Sequence, residues 1–387
     1  MMRFLLAVLL FIASLGPIDA EQLKSKLGFY IDMPSGFALK DGDGKTRFAF
    51  TDPKGGMEYD ILAYEPGRFA DAPTLAKQSL DKLGSSGSST PYSYEGRKAI
   101  LSELGFALNG AKQKGYALFI EGRKSSGGKG AVDEYSYALL AYAPEANFQA
   151  YSDFILSCID AFSIDAAAKR SPGPVSQFTL DWPPTHDKEK SVVLAGGGQA
   201  TLPWSEDEAE EEAQTDMREY KVLTAYANEA SMSQDAWARF YRMAYRESAA
   251  RLDRLVMETS RTVSPSDPTE AARKILAWVQ GFVYERDEQG SGFIPPLTAA
   301  YDAKGDCDSR AVVAAIVLQR LGVDAILMVS REYSHAMLGV DVPGGGQRFD
   351  FNGKKYLVGE TTTRVGIGMI AANMADWTKW MGIDLGN

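Results

Sequence analysis

The chain has 387 residues, ordinary Pro, Gly and charged content, and a formal net charge of −10 at pH 7. Such an acidic balance argues against nucleic acid or an anionic membrane surface as a partner. The length exceeds what one hydrophobic core usually covers, so two domains are expected.

Residues 1–20, MMRFLLAVLLFIASLGPIDA, begin with a basic residue at Arg3, continue as an apolar run and close on the small Ala20. This is the pattern of an export signal peptide. The run is too short to span a bilayer comfortably, and no later stretch reaches the roughly 20 apolar residues of a membrane helix. The expectation is an exported protein, periplasmic or secreted, with no membrane span. Removing the leader takes away Arg3 and Asp19 together, so the net charge is unchanged.

Residues 21–165 are expected to form an N-terminal α+β module. Strand-like segments such as KTRFAFT and EYDILAY are broken by turns at DGDGK and PKGG. The turn from Asp41 to Lys45 carries part of a calcium-loop pattern but lacks the distant glutamate, so a hairpin turn is the reading. APTLAKQSLDKL is helical, and further strands lead into a helix whose stripe is Phe154, Ile155, Cys158, Ile159 and Phe162. Cys158 is thus read as a core filler, with a disulfide to the other cysteine as the alternative. The unit bears a faint resemblance to the PsbP-like sandwich, carried by no motif.

Residues 166–210 shift to Pro, Gly and acidic composition and are read as a linker and irregular lead-in. His186 is expected in a solvated loop, and the acidic run from Glu206 to Glu212 as a solvated face. Residues 211–387 form the second domain. SMSQDAWARFYRMAYRESAARLDRLV predicts a helix with Trp237, Phe240, Tyr241, Ala244 and Tyr245 on one stripe, with Ser231 and Gln234 fitting a capping box. SDPTEAARKILAWVQ predicts a second, capped by Asp267 with Pro268 in its first turn. Gln280 on that helix is within reach of a cleft, and the Gly- and Pro-bearing stretch 285–303 reads as cleft lining.

KGDCDSRAVVAAIVLQRLG, 304–322, places a thiol between two aspartates. Asp306 is a good N-cap, so Cys307 falls in the first turn of a helix apolar enough to be buried. The helix dipole favours thiolate there, whereas the flanking carboxylates oppose it, so a base is required. His335 begins a strand in which Ala336, Leu338, Val340 and Val342 alternate with the opposite face. Glu360 lies at the far end of another strand, KKYLVGETTT. Thiol, imidazole and carboxylate in this order could converge at one sheet edge as a Cys-His-acid triad.

GDCDSRAVVAAIVLQRLGVDA, SHAMLGVDV and YLVGETT together resemble the bacterial transglutaminase-like superfamily, a branch of the papain-like cysteine enzymes; AWVQGFVYERD fits its approach to the cysteine. The resemblance implies an α+β domain with the nucleophile on a buried helix packed against an antiparallel sheet. It implies Cys307 as nucleophile, His335 as base and then acid, and Glu360 as the orienting carboxylate. The third member is more often aspartate, which leaves Asp350 as a substitute. Asp308 stands where true transglutaminases often have tryptophan. These residues imply a protein or peptide substrate, hydrolysis of a peptide or carboxamide bond through a thioester, and neither metal nor cofactor. A true amine acyltransferase and a non-catalytic binding module of the same fold are the alternatives.

Overall fold

The computed structural model describes residues 23–124, 133–226, 233–286 and 291–386. The expected leader, 1–20, and Ser231 of the expected capping box lie outside these residues. The described chain is α+β, built on two main antiparallel sheets with separate cores.

The first sheet follows two short strands, β1 (Leu23–Lys24) and β2 (Tyr30–Ile31). Its strands are β3 (Ala38–Gly42), β4 (Arg47–Thr51), β5 (Glu58–Tyr64), β6 (Ser89–Tyr94), β7 (Arg97–Leu108), β8 (Ala111–Ile120) and β9 (Ser136–Pro144). Their order is β3-β4-β5-β9-β8-β7-β6. Helix α1 (Ala72–Leu83) comes between β5 and β6, and α2 (Phe148–Asp160) follows β9. β9 is apolar on both faces because both are covered: Leu140 packs with Leu75 and Ala76 of α1, Leu139 with Ile155 and Cys158 of α2. Such a strand reads as a continuous apolar run instead of an alternating one. The Asp41–Lys45 turn is the β3–β4 hairpin, its Asp43 carboxylate accepting N–H bonds from Lys45, Thr46 and Arg47 at 2.7–2.9 Å.

After β10 (Phe162–Ser163), the segment read as linker carries α3 (Pro174–Leu180) and a hairpin of β11 (Lys188–Val193) and β12 (Gln199–Trp204). Then come α4 (Glu206–Tyr226), α5 (Ser233–Ala249), α6 (Asp253–Thr259), α7 (Pro268–Val279), α8 (Pro296–Asp302) and α9 (Cys307–Arg320). The second sheet holds β13 (Ala325–Ser330), β14 (His335–Val340), β15 (Arg348–Phe351), β16 (Lys354–Gly359) and β17 (Met381–Ile383), ordered β15-β16-β14-β13-β17. Among the described residues no helix is long and apolar enough to cross a membrane.

The acidic run was expected on a solvated face, and the structure corrects this in part: Glu206, Asp207 and Glu210 are exposed, but Glu208, Glu211 and Glu212 are buried, with Asp216 and Glu219 further along α4. Glu208, Glu211 and Glu219 are paired with arginines of α5 and of the turn after it. Arg251 meets Glu208, Glu211 and Glu247, and Arg239 donates to Glu219 at 2.6 Å. Sequence spacing cannot show this, because these arginines lie far along the chain from the acids of α4 they meet. His186 is exposed in a loop, as expected, and contacts Glu208 at 3.1 Å.

The same charges join the two cores. Glu219 accepts from Ser157 of α2 at 2.8 Å, Arg239 donates to the Asp32 carbonyl at 2.7 Å, and Arg242 binds the Asp32 carboxylate at 2.6–2.7 Å. Arg218 pairs with Asp160, whose carboxylate also accepts the Val175 N–H at 2.6 Å. Burial works against the Glu219 carboxylate, yet Arg239 and Arg218 hold its pKa below the ordinary value. Removing one partner of such a pair leaves an uncompensated buried charge. Arg239→Ala should therefore lower stability by about 3–5 kcal/mol in urea unfolding followed by circular dichroism.

Candidate active site

The site is built where α9 meets the sheet. Asp306 caps the helix, its carboxylate accepting from the Ser309 N–H at 3.0 Å, so Cys307 opens the first turn. From Ser309 to Leu318 every residue of α9 is buried. The preceding Gly305 is at φ 150°, and a Cβ there would meet the Ser309 side chain at 2.8 Å, so glycine lets the chain enter tightly against the helix.

Both cysteines are free thiols and both are buried. Cys158 has the core position expected of it. Cys307, 8% exposed, lies instead in the wall of a cleft of about 280 Å³ that His335 also lines.

His335 is the first residue of β14 and pairs with Ser330, the last of β13. The turn between them is closed by Ser334, a non-glycine residue at φ 47°. Leu338 pairs with Gly359, so alternation sets Glu360 on the same face as Met337 and His335. The result is a hydrogen bond of 2.8 Å between His335 Nε2 and Glu360 Oε2. The other oxygen of Glu360 accepts from the Thr362 N–H at 2.7 Å and the Thr362 hydroxyl at 2.6 Å. Burial alone would raise the Glu360 pKa, but the bond and charge of His335 and the two Thr362 donors bring it down to about 2. Trp380 meets the imidazole edge to face, with centroids 6.2 Å apart.

α9 packs on the other face of the sheet, against Ala336, Leu338 and Val340. The thiol and the imidazole thus line one cleft from opposite faces at the end of β14, where the Ala336 N–H faces the sulfur. With Nε2 engaged by Glu360, Nδ1 is the ring nitrogen left to exchange a proton with the cleft. Asp350, the substitute carboxylate, is not part of this group: it is exposed on β15 and pairs with Lys355 at 2.8 Å.

The thiol is engaged by an acid. Its hydrogen bond goes to Asp308 Oδ1 at 3.3 Å, and Tyr241 of α5 fixes the other Asp308 oxygen at 2.7 Å. Burial first, then Asp308 and Asp306, push the Cys307 pKa well above that of a free thiol. Burial and the neighbouring Asp308 also raise Asp306 to about 6. The opposing effect of the helix dipole is too small to prevail.

Several supporting residues escaped the sequence reading. Arg310, 2% exposed in an otherwise apolar helix, donates to the carbonyls of Gly305 at 2.9 Å, Phe282 at 2.8 Å and Thr361 at 3.4 Å. It ties the entry to α9, the end of the α7 segment and the residue after Glu360 to one guanidinium. A lone arginine amid valines and alanines was the available signal. Tyr241, placed on the apolar stripe of α5, keeps its ring buried and uses its hydroxyl on Asp308. Gln280 does reach this region, donating to the carbonyls of Glu360 at 2.8 Å and Val365 at 3.0 Å. Of the stretch 285–303, Arg286 and Ser291 line the cleft, while Pro296–Asp302 is α8. Among the described residues no group of three or more His, Cys, Asp or Glu side chains is arranged to hold a metal ion.

No protein-family model matches the chain and no curated protein matches it. Some solved structures are weakly similar. Cyanobacterial PsbP (CyanoP) from Synechocystis sp. PCC 6803 is 10% identical, over 39% of this chain and 95% of that one, at a TM-score of 0.30. A protein from Bacteroides thetaiotaomicron is 9% identical over 87% and 89%, at 0.26. Red sea bream transglutaminase is 11% identical, over 81% of this chain and 47% of that one, at 0.17. Likenesses this weak assign the chain to no family.

Two measurements check the electrostatics. Asp308→Asn keeps the contact with Tyr241 and removes the nearest negative charge, so the pH profile of Cys307 alkylation by iodoacetamide should move down by about one pH unit or more. Glu360 has a depressed pKa in the folded state, so its stabilisation is complete above about 4.5 and is lost as pH falls toward about 2. Glu360→Gln should therefore flatten the dependence of stability on pH between these values, measured by thermal melts.

Proposed function

We propose that this chain is an exported cysteine hydrolase of transglutaminase-like type, acting on a peptide or carboxamide bond through Cys307, His335 and Glu360. One contact supports this above all. The 2.8 Å bond between His335 Nε2 and Glu360 orients an imidazole that lines the same cleft as the thiol, with Nδ1 left over to act on it.

His335 Nδ1 takes the Cys307 proton as the sulfur attacks the substrate carbonyl, and Glu360 stabilises the imidazolium. A carboxylate with a pKa of about 2 stays ionised through the cycle, so it orients the ring and does not take the proton itself. The oxyanion forms beside the N–H of Cys307, which has no acceptor within its own helix, at the positive end of α9. The imidazolium returns its proton to the departing amine or ammonia. Water then attacks the thioester with His335 as base, releasing the acid and the thiol.

Burial and the two aspartates raise the pKa of the thiol, which favours attack coupled to proton transfer over a standing thiolate. Asp308 follows the nucleophile where cross-linking enzymes often carry tryptophan, which favours water as the acceptor. Amine transfer uses the same groups and differs only in what resolves the thioester.

His335→Ala should slow Cys307 alkylation at pH 7 by about 10²-fold or more, and Cys307→Ala should abolish turnover while the circular dichroism spectrum is preserved. Turnover that survives Cys307→Ala removes the nucleophile assignment. A thiol whose alkylation ignores His335 points to a binding module of the same architecture.

A further inference from the structure

The cleft does not end at the thiol. Trp237, Val329 and Arg331 line it and also line an adjoining cavity of about 260 Å³. Trp380, whose ring meets His335, lies in the wall of that second cavity with Ser233 and Lys379. The two hollows share one wall and together form a groove running from the nucleophile between the start of α5 and the end of β13.

The charges along the groove are nearly all matched within the protein. Lys379 pairs with Glu332 and Asp376 at 3.6 Å, Arg286 approaches Asp306 at 3.8 Å, and Asp308 is held by Tyr241. Arg331 is different. It lines both cavities, donates to the Ser233 hydroxyl at 3.1 Å, and has no carboxylate partner among the described residues. An arginine held at one nitrogen, in a groove that two tryptophans also line, is suited to a planar carboxylate.

We propose that Arg331 is a specificity residue that selects a peptide carboxylate on the chain bound across Cys307. This rests on the thiol-hydrolase reading and names its substrate class: acidic peptides, the acid being either a Glu or Asp side chain or the free carboxyl terminus.

Binding is measured on the Cys307→Ala protein, so that it does not depend on thiol chemistry. The probes are hexapeptide pools randomised around a fixed Glu or Gln, each with a free or an amidated carboxyl terminus, followed by ligand-observed NMR. Carboxylate-bearing pools should bind about tenfold more tightly than the amidated Gln pool. Arg331→Gln should erase that ratio and Arg331→Glu should invert it. A preference shown by the amidated Glu pool identifies a side chain as the source, and one confined to free termini identifies the chain end. Equal affinities, undetectable binding of every pool, or a ratio that persists in Arg331→Gln overturns the assignment. Failure of the hydrolase reading shows separately, as alkylation of wild-type Cys307 that does not depend on His335.

Discussion

The burial of α9 is the constraint on which the site depends. A helix with Val312, Val313, Ile316 and Val317 all fully buried can sit only inside the core, packed by α5, α7 and α8 on one side and by β13 and β14 on the other. Its N-terminus must then surface at the end of the sheet, because the unpaired N–H groups of a first turn cannot be left in an apolar interior. That is where β14 begins. Cys307 and His335 therefore share a cleft as a consequence of how an apolar helix is covered. Arg310 secures the arrangement, holding backbone from three separate segments with a single buried charge.

Within that frame the electrostatics divide the labour. The Glu360 pKa is lowered because His335 and Thr362 both donate to it, whereas that of Cys307 is raised by burial and by two aspartates. A neutral thiol next to an oriented imidazole resists oxidation and nonspecific alkylation better than a standing thiolate. It becomes nucleophilic when a carbonyl is present to receive the electrons. Asp308 has an intelligible place here: it binds the thiol proton at rest, and Tyr241 prevents it from swinging away.

The two cores are joined by buried charges as well as by the apolar contact of Phe154 with Tyr226. α4 carries buried acids and α5 carries buried arginines, and between them they reach Asp32, Ser157 and Asp160 of the first core. Buried ion pairs add little net stability over apolar packing, but they penalise every arrangement that leaves one partner unmatched. This is how a fixed docking of one core on the other can be specified. It also places α5, which bears Tyr241, Trp237 and Arg239, between the interface and the cleft.

The sequence by itself determined the local elements and the order of the chemistry. Caps at Asp267 and Asp306, the alternation from Ala336 to Val342 and the pattern around Glu360 were all legible, because a cap, a period and a turn depend only on neighbours a few residues away. Tertiary structure alone decided which distant groups meet. Glu360 and not Asp350 faces the imidazole because strand register puts it on the same face as His335, and register is a property of pairs of strands. One side of the acidic run of α4 is buried because its counter-charges come from α5 and the turn after it, and among the described residues no carboxylate is delivered to Arg331. Each of these is a question of electrostatic matching across space, and one-dimensional spacing carries no record of the partner.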